Sequence, residues 1–191
     1  MDRYPRTRWA RPIEVGAAFL TVALLMASRH ATADDVVQFG PADVKYVFFI
    51  AKSQNRNQVH YGIRLDRECS PVGTRPVFAY WRMFENQGEA EPLLGTEGPA
   101  YGLDDAQEIA NAPDTSQVRV RLRAFRDRPL VVTVTRRGDV CEAAASTTIA
   151  GTNAKLDSMY VKLRWPFGVE YLLLRGSRVV DGRWVQERIQ E

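Results

Sequence analysis

Apolar and polar residues alternate with a period of two along most of the chain after residue 45. Residues 59–65 carry Val, Tyr, Ile and Leu at every second position, and residues 118–124 repeat the pattern with arginines in between. Successive side chains of a β-strand point to opposite faces of its sheet, so this alternation is typical of half-buried strands. The dipeptides Gly138-Asp139 and Asp181-Gly182 each lie between two such runs and predict tight hairpin turns. The pattern predicts about eight or nine short strands.

These features place the chain in the all-β class, as a single antiparallel β-sandwich or barrel. Alternation alone favours neither architecture over the other. One short helix is predicted at Asp104–Asn111, where Asp104 or Asp105 would cap the first turn. This helix falls inside the least regular stretch, residues 86–116, which is rich in glycine and proline.

The first 33 residues have the three parts of a secretory signal peptide. Four arginines precede residue 12, a mostly apolar run covers residues 13–26, and Ala31-Thr32-Ala33 forms a small-x-small cleavage site. A retained membrane anchor is the alternative, but a span needs about 20 apolar residues, and this run is shorter and contains Glu14. We therefore expect cleavage, no stable transmembrane anchor afterwards, and a periplasmic or secreted protein.

The expected organisation is a signal peptide at residues 1–33, an N-terminal leader at 34–44 and one all-β domain at 45–190. The signal peptide holds five of the 26 basic residues and two of the 23 acidic ones, which leaves 21 of each in the mature chain. The formal net charge of the mature chain is therefore zero. Because a nucleic-acid-binding domain carries a basic footprint, we expect no nucleic-acid partner.

Both cysteines, Cys69 and Cys141, belong to the predicted mature chain. An even pair of cysteines in an oxidising compartment is usually bridged, so we expect a disulfide between them. Two separate buried thiols are the alternative, since free cysteine is among the most buried residue types.

His60 is the one histidine after the predicted signal peptide. A zinc site needs three or four ligands at typical spacings, and one histidine with two paired cysteines does not supply them. The sequence contains no GxSxG, HExxH, P-loop or GxGxxG motif. We expect no metal, no cofactor and no catalytic residues.

Two candidate ligand-binding residues, Lys52 and Asn57, belong to a polar segment at 52–58 between two predicted strands. Loops at the end of a β scaffold commonly carry binding sites. A plain hydrophilic hairpin loop is the alternative, because asparagine also suits turns.

The other candidates are polar residues within predicted strands. His60 alternates with apolar residues, which favours a solvent-facing position. Tyr80 and Arg82 flank a tryptophan, and Glu170 lies in an apolar strand. A buried charge needs a partner, so Arg82 is predicted to pair with Glu170, either stabilising the interior or lining a pocket.

Five arginines fall within ten residues, and the first three would project from one face of a strand. Arginine binds carboxylates and phosphates through parallel hydrogen bonds, so this stretch suits an anionic ligand or an anionic membrane surface. Pairing with acidic side chains on neighbouring strands is the favoured interpretation for a chain without net charge. The five are Arg119, Arg121, Arg123, Arg126 and Arg128.

Four long segments are distinctive: FFIAKSQNRNQVHYGIRLD (48–66), PVFAYWRMFE (76–85), EPLLGTEGPAYGL (91–103) and VKLRWPFGVEYLLLRG (161–176). Together they resemble a family of bacterial exported proteins, the domain-of-unknown-function family numbered 4833. The resemblance covers most of the mature chain. It implies no activity and assigns no role to the candidate residues, because the family has no assigned activity to carry over.

Three functions are compatible with these features. The first is a non-catalytic binding or interaction module of the cell envelope or periplasm, with a small molecule or an envelope component as its partner, and the single histidine favours it. The second is a hydrolase-like enzyme with a site near Lys52, His60, Tyr80, Arg82 and Glu170. The third is an envelope-associated structural protein whose arginine-rich strand contacts lipid or an anionic polymer.

Overall fold

The structure, a computed structural model, describes residues 44–95, 97–164 and 168–190. These residues belong to one compact unit. The predicted signal peptide and the predicted leader up to residue 43 lie outside the described residues, and Val44, the last leader residue, begins the first strand. No helix in the described ranges is long and apolar enough to cross a membrane.

The described residues form eleven strands and one four-residue helix, which confirms the all-β class and exceeds the predicted number of strands. The predicted turns at 138–139 and 181–182 each connect two antiparallel neighbours. In chain order the elements are β1 (Val44–Lys52), β2 (Gln58–Arg64), β3 (Val77–Met83), β4 (Glu89–Pro92), α1 (Gly98–Tyr101), β5 (Leu103–Ala112), β6 (Thr115–Leu122), β7 (Phe125–Arg137), β8 (Val140–Ile149), β9 (Thr152–Leu163), β10 (Val169–Arg178) and β11 (Trp184–Gln190).

All the strands belong to one mixed sheet with the order β4-β3-β2-β1-β9-β8-β7-β6-β5, and β10 and β11 follow β9 on a separate branch. The pairing is antiparallel except between β1 and β9, which run parallel with Phe49 opposite Ser158 and Lys52 opposite Val161. Within the described residues β4 and β5, the two ends of the order, do not pair with each other. The sheet is therefore open, and its antiparallel pattern has one parallel exception.

β9 is the strand at which two groups of strands meet. Its residues 152–156 pair with β8, its residues 158–161 pair with β1, and β10 covers its other edge. We call β1–β4 the N-terminal group and β5–β8 the middle group. Both contribute to one hydrophobic core, since every second side chain of a strand points to the same face.

Tyr61 is the largest side chain that is fully buried in this core. Its ring stacks on that of Phe48 in β1 with a centroid distance of 4.3 Å. Its hydroxyl donates a 2.7 Å hydrogen bond to the backbone oxygen of Tyr101, at the end of α1. Tyr61 therefore ties the N-terminal group to the segment that leads into the middle group.

The predicted helix at Asp104–Asn111 is wrong, because these residues belong to β5. Alanine, glutamine and glutamate favour helices, but here pairing with β6 along the strand decides the backbone conformation. β5 is an edge strand whose side chains are mostly exposed, so it lacks the clear alternation of a half-buried strand. The helix of the described residues, α1, lies just before it and has no side-chain cap.

Cys69 and Cys141 form the predicted disulfide, with their Cα atoms 5.4 Å apart and a sequence separation of 72. Cys69 follows β2 and is buried, whereas Cys141 lies in β8. The bridge therefore links the N-terminal group to the middle group covalently.

Candidate functional site

Five of the six predicted ligand-binding residues lie in or beside the N-terminal group, but they lie on two opposite faces of it. Lys52 and Asn57 line a groove on the core side. His60, Tyr80 and Arg82 lie on the outward face, where His60 and Tyr80 are directly opposite each other on β2 and β3. The structure therefore separates the predicted site into two surfaces.

The first surface is a groove of about 390 Å³ lined in part by Lys52, Asn57, Trp81 and Glu97, and we call it the lysine groove. The Lys52 Nζ atom lies 4.4 Å from the centroid of the Trp81 ring. Trp81 donates its Nε1–H to Glu97 Oε2 at 2.7 Å. Because Trp81 is only 6% exposed, its ring is used by contacts within the protein and offers little surface to a ligand.

Asn57 holds two turns together. Its Oδ1 accepts a hydrogen bond of 3.0 Å from the backbone N–H of Glu85, and its amide donates to Glu85 Oε2 at 3.4 Å. The side chain is buried at 6% exposure. These contacts connect the polar segment before β2 to the turn after β3, so both hydrogen-bonding ends of Asn57 are engaged in the fold.

The second surface consists of aromatic rings on the outward side of β1–β3, and we call it the aromatic face. His60 is at its centre, with the centroids of four other rings between 5.3 and 6.2 Å away. Two of its members are exposed, at 46% and 39% for Tyr46 and Phe84. The aromatic face comprises Tyr46, Phe49, His60, Phe78, Tyr80 and Phe84.

Two arginines accompany these rings, and one acidic residue, Asp157 in β9, lies close enough to Tyr46 to contribute to raising its pKa. The Arg64 guanidinium carbon lies 4.7 Å from the Phe78 centroid, and that of Arg82 lies 5.8 Å from the Phe84 centroid. Arg82 Nε is buried and has no hydrogen-bond partner among the described residues. The strand registers place no aspartate or glutamate at the outward positions of β1–β3, which are Val44, Tyr46, Phe49, Ala51, Gln58, His60, Gly62, Arg64, Phe78, Tyr80 and Arg82.

His60 is poorly suited to proton transfer at neutral pH. Burial, together with the positive charge of Arg82, lowers the pKa of His60 to about 4. A catalytic base works best with a pKa near the operating pH. Burial also raises the pKa of Tyr46 to about 12 and raises the pKa of Tyr80. All three rings are therefore uncharged at neutral pH, which suits contact with a partner better than catalysis.

The predicted pairing of Arg82 with Glu170 is wrong. Glu170 lies in β10, four strands away from β3 in the sheet. Its carboxylate lies 4.0 Å from Arg188 Nη2 in the neighbouring strand β11. The guanidinium of Arg188 also covers the Tyr171 ring at 3.9 Å. Glu170 thus belongs to a separate, partly exposed contact between β10 and β11.

The arginine-rich stretch pairs with acidic side chains, as its favoured interpretation predicts. Arg123 and Arg126 both contact Asp104, at 3.3 and 2.6 Å. Arg128 forms two hydrogen bonds with Glu187. Three of the five arginines are therefore engaged by carboxylates from β5 and β11.

Apart from Tyr80, the aromatic residues around His60 were not among the predicted site residues. The signal for them was present in β3, whose two faces are both apolar in sequence. Such a pattern is typical of a central strand. The structure places Val77 and Trp81 in the core, whereas Phe78 and Tyr80 belong to the outward face.

Among the described residues, no group of three His, Cys, Asp or Glu side chains is placed to hold a metal ion. No curated protein and no solved structure matches the chain. A protein-family model does match it over residues 48–188, and this range contains both the lysine groove and most of the aromatic face. The chain therefore belongs to the family described as Domain of unknown function (DUF4833).

Proposed function

We propose that this protein is a non-catalytic binding module that is exported to the periplasm or the cell exterior, where its aromatic face binds an acidic surface of an envelope protein. The observation that carries the proposal is the composition of the outward side of β1–β3. Seven of its eleven positions carry aromatic or basic side chains, where the solvent face of a sheet is usually polar. Clustered exposed apolar groups of this kind mark interaction sites.

The composition of the aromatic face supports a protein as the partner. The cores of protein interfaces are enriched in tyrosine, phenylalanine and arginine and depleted in lysine, glutamate and aspartate. Tyrosine and arginine also carry a large share of the binding energy in such interfaces. Tyr46, Tyr80, Arg64 and Arg82 all lie on or beside this face, so it has the residue types of an interface core, with Tyr46 exposed and Tyr80 buried within the face.

The charge of the face supports an acidic partner. Arg64 and Arg82 stack on rings, and the outward positions of β1–β3 supply no carboxylate. Separate aspartates or glutamates of a partner would meet Arg64 and Arg82, because the two arginines lie near opposite ends of the β2–β3 pairing. Charge-assisted hydrogen bonds of that kind are stronger than neutral ones.

The hydrolase-like alternative has weaker support. Its residues are divided between the lysine groove, the aromatic face and β10. The pKa of His60, lowered to about 4, leaves it a poor base at neutral pH. The envelope-associated structural protein is also less well supported. It needs arginines that are available to lipid or an anionic polymer, and three of the five pair with carboxylates of the protein itself.

Export is supported by two independent features. Residues 1–33 have the composition of a secretory signal peptide. The Cys69–Cys141 bridge is the kind of bond that persists in oxidising compartments. An export assay that follows processing of the full chain in a bacterial host would test this part, and failure to remove the first 33 residues would contradict it.

Selection from a random peptide library displayed on phage tests the binding function. We expect the enriched peptides to carry aspartate or glutamate next to an apolar residue. Synthetic versions should bind with a Kd that Tyr46→Ser and Arg82→Gln each weaken at least about tenfold, because loss of an interface anchor costs about 2 kcal/mol or more. Val180→Ser is the matched control, since Val180 is 83% exposed on the turn before β11.

Three outcomes would contradict the proposal. The first is enrichment of peptides without acidic residues. The second is equal weakening by the control and the test variants. The third is a concentration-dependent dimer that Tyr46→Ser disrupts, because the aromatic face would then be covered by a second copy of the chain. Circular dichroism melting of each variant shows whether Arg82→Gln, the more buried change, remains folded.

A further inference from the structure

An apolar cavity of about 210 Å³ lies on the core side of β1, whereas the aromatic face lies on the outward side. It is formed where α1, the β6–β7 turn, β9 and β10 come together. The lining includes Ile50, Leu122, Met159, Val161 and Leu172, which come from four different strands. No other described cavity has a lining so uniformly apolar.

The cavity is open to solvent beside two small residues. Ala100 in α1 and Ala124 in the β6–β7 turn line it, and both are exposed. Tyr101 and Phe125, their neighbours in the chain, also line it and are half-buried. An apolar chain can therefore enter between the two alanines without displacing a core side chain.

Two arginines border this opening. Arg123 and Arg126 flank the lining residues Ala124 and Phe125 in sequence. The backbone N–H of Arg123 donates to Gly102 O, next to α1, and one guanidinium nitrogen lies 3.3 Å from the position of a Cβ on Gly98. The Arg123 guanidinium thus lies beside α1, and Arg126 lies on the other side of Ala124 and Phe125 in the chain.

The two arginines share one carboxylate. Arg123 Nε and Arg126 Nε both contact the carboxylate of Asp104, at 3.3 and 2.6 Å. Asp104 engages only some of the N–H groups of the two guanidinium groups, each of which has five, so further donors can reach a ligand at the entrance to the cavity. That arrangement complements a molecule with one carboxylate and an apolar tail.

We propose that this cavity binds a free monocarboxylate with an unbranched apolar tail, the carboxylate lying on Arg123 and Arg126 and the tail inside the cavity. A methylene group occupies about as much space as a water molecule in the liquid, about 30 Å³, so the cavity holds a tail of about six to eight carbons. A smaller engineered apolar cavity in another protein stays dry and binds benzene. This site is independent of the proposed protein partner.

Titration with hexanoate, octanoate and 1-octanol by calorimetry tests the proposal. Burying each added methylene should tighten binding about fourfold, so octanoate should bind about 15-fold more tightly than hexanoate. 1-Octanol has the same tail without the charge and should bind at least tenfold more weakly than octanoate. Loss of the chain-length dependence, or equal affinity for 1-octanol, would overturn the proposal.

Variants separate the tail from the headgroup. Ala124→Trp should abolish octanoate binding by filling the entrance, whereas Ala112→Trp, on the exposed end of β5, should leave it unchanged. Arg123→Gln should weaken octanoate at least tenfold and leave 1-octanol unaffected, and Arg119→Gln is its control. Equal effects of the test and control variants would contradict the assignment.

The NMR signals of the methionine methyl groups report where octanoate binds, without any substitution in the protein. With ¹³C-methyl-methionine, octanoate should shift the NMR signal of Met159, which lines the cavity, and not that of Met83, which lines the lysine groove. A shift at Met83 alone would place the ligand elsewhere. The protein could instead bind anionic phospholipid vesicles, lose that binding in Ala124→Trp, and not bind octanoate. That combination would identify a membrane lipid as the ligand and overturn the proposal.

Discussion

The guanidinium of Arg128, in β7, binds the carboxylate of Glu187, in β11, through two hydrogen bonds of 2.5 and 3.0 Å. β7 and β11 do not pair with each other in the sheet. Glu187 Oε2 also accepts a 2.7 Å hydrogen bond from the backbone N–H of Ala150, in the turn between β8 and β9. One carboxylate therefore joins three parts of the chain.

Replacing Glu187 with glutamine should lower the free energy of unfolding by about 1–2 kcal/mol at pH 7, since the pair is charge-assisted but partly exposed. The hydrogen bond from Arg128 lowers the pKa of Glu187 below its usual value of 4.5. The stabilisation is therefore complete above that value and is lost as the pH falls through the lower pKa of the folded state.

Urea denaturation of wild type and Glu187→Gln across this pH range measures the difference, which should shrink in acid. Glu142→Gln is the control, because the Glu142–Arg137 pair is mostly exposed and should contribute almost nothing. A Glu187→Gln deficit that stays constant with pH would show that the charge of Glu187 is not the stabilising feature.

Removing the disulfide should be the most destabilising of the changes considered. For two cysteines separated by 72 residues, the chain-entropy model gives about 4 kcal/mol. The Cys69→Ser/Cys141→Ser double variant should therefore unfold at a much lower urea concentration than wild type. Wild type treated with a reducing agent should behave like the double variant, and a loss below about 1 kcal/mol would contradict the entropic argument.

Mild acid should destabilise the protein through His60. Its pKa is lowered to about 4 in the fold, mainly by burial, while in the unfolded chain it is about 6.5. The unfolded state therefore binds a proton first as the pH falls, and stability decreases between these two values. The full effect would be about 1.4 kcal/mol per pH unit, and we expect about half of that because His60 is partly exposed.

His60→Gln should flatten this part of the stability profile, as measured by thermal unfolding from pH 7 to pH 4. Gln58→Ala removes the hydrogen-bond partner of His60 but keeps the titrating ring, so it should preserve the slope. An unchanged slope in His60→Gln would assign the acid sensitivity to other groups.

Gly176→Ala should destabilise the fold by about 1–3 kcal/mol or more, as overpacking does. Gly176 lies in β10, where it pairs with Leu156 in β9, and an added Cβ would come within 2.1 Å of the backbone oxygen of Lys155, too close for any real contact. Gly95→Ala is the control, because no atom lies within 4 Å of its added Cβ. Urea midpoints of the two variants measure the difference, and equal midpoints would contradict the close packing at β9–β10.

The fold was predictable where burial on one face imposed alternation. β2 and β6 are examples, since their buried residues fall at alternate positions along most of each strand. β5 was not predictable in the same way, because its exposed edge position leaves its composition free to resemble a helix. The parallel pairing of β1 with β9 has no local signal at all, because register between distant strands depends on the whole sheet.

The candidate site was only partly predictable for a related reason. Residue types identified His60, Tyr80 and Arg82, and the structure does place them together. Alternation also implies that Lys52 and His60 can lie on opposite faces of the sheet. Whether they do depends on the turn between β1 and β2, which sets the register of the two strands. The apolar cavity had no sequence signal, because its lining comes from strands that are far apart in the chain.

The parallel pair also has a consequence for how the chain folds. β1 pairs with residues that lie more than a hundred positions later, as in the register of Phe49 with Ser158. Contacts between such distant residues require closure of a long loop, which slows folding. Until β9 has been synthesised, the N-terminal group has an unpaired β1 edge, and such edges promote aggregation. The sheet is therefore completed only after β9 is available, and a chaperone that shields β1 until then would increase the yield of folded protein.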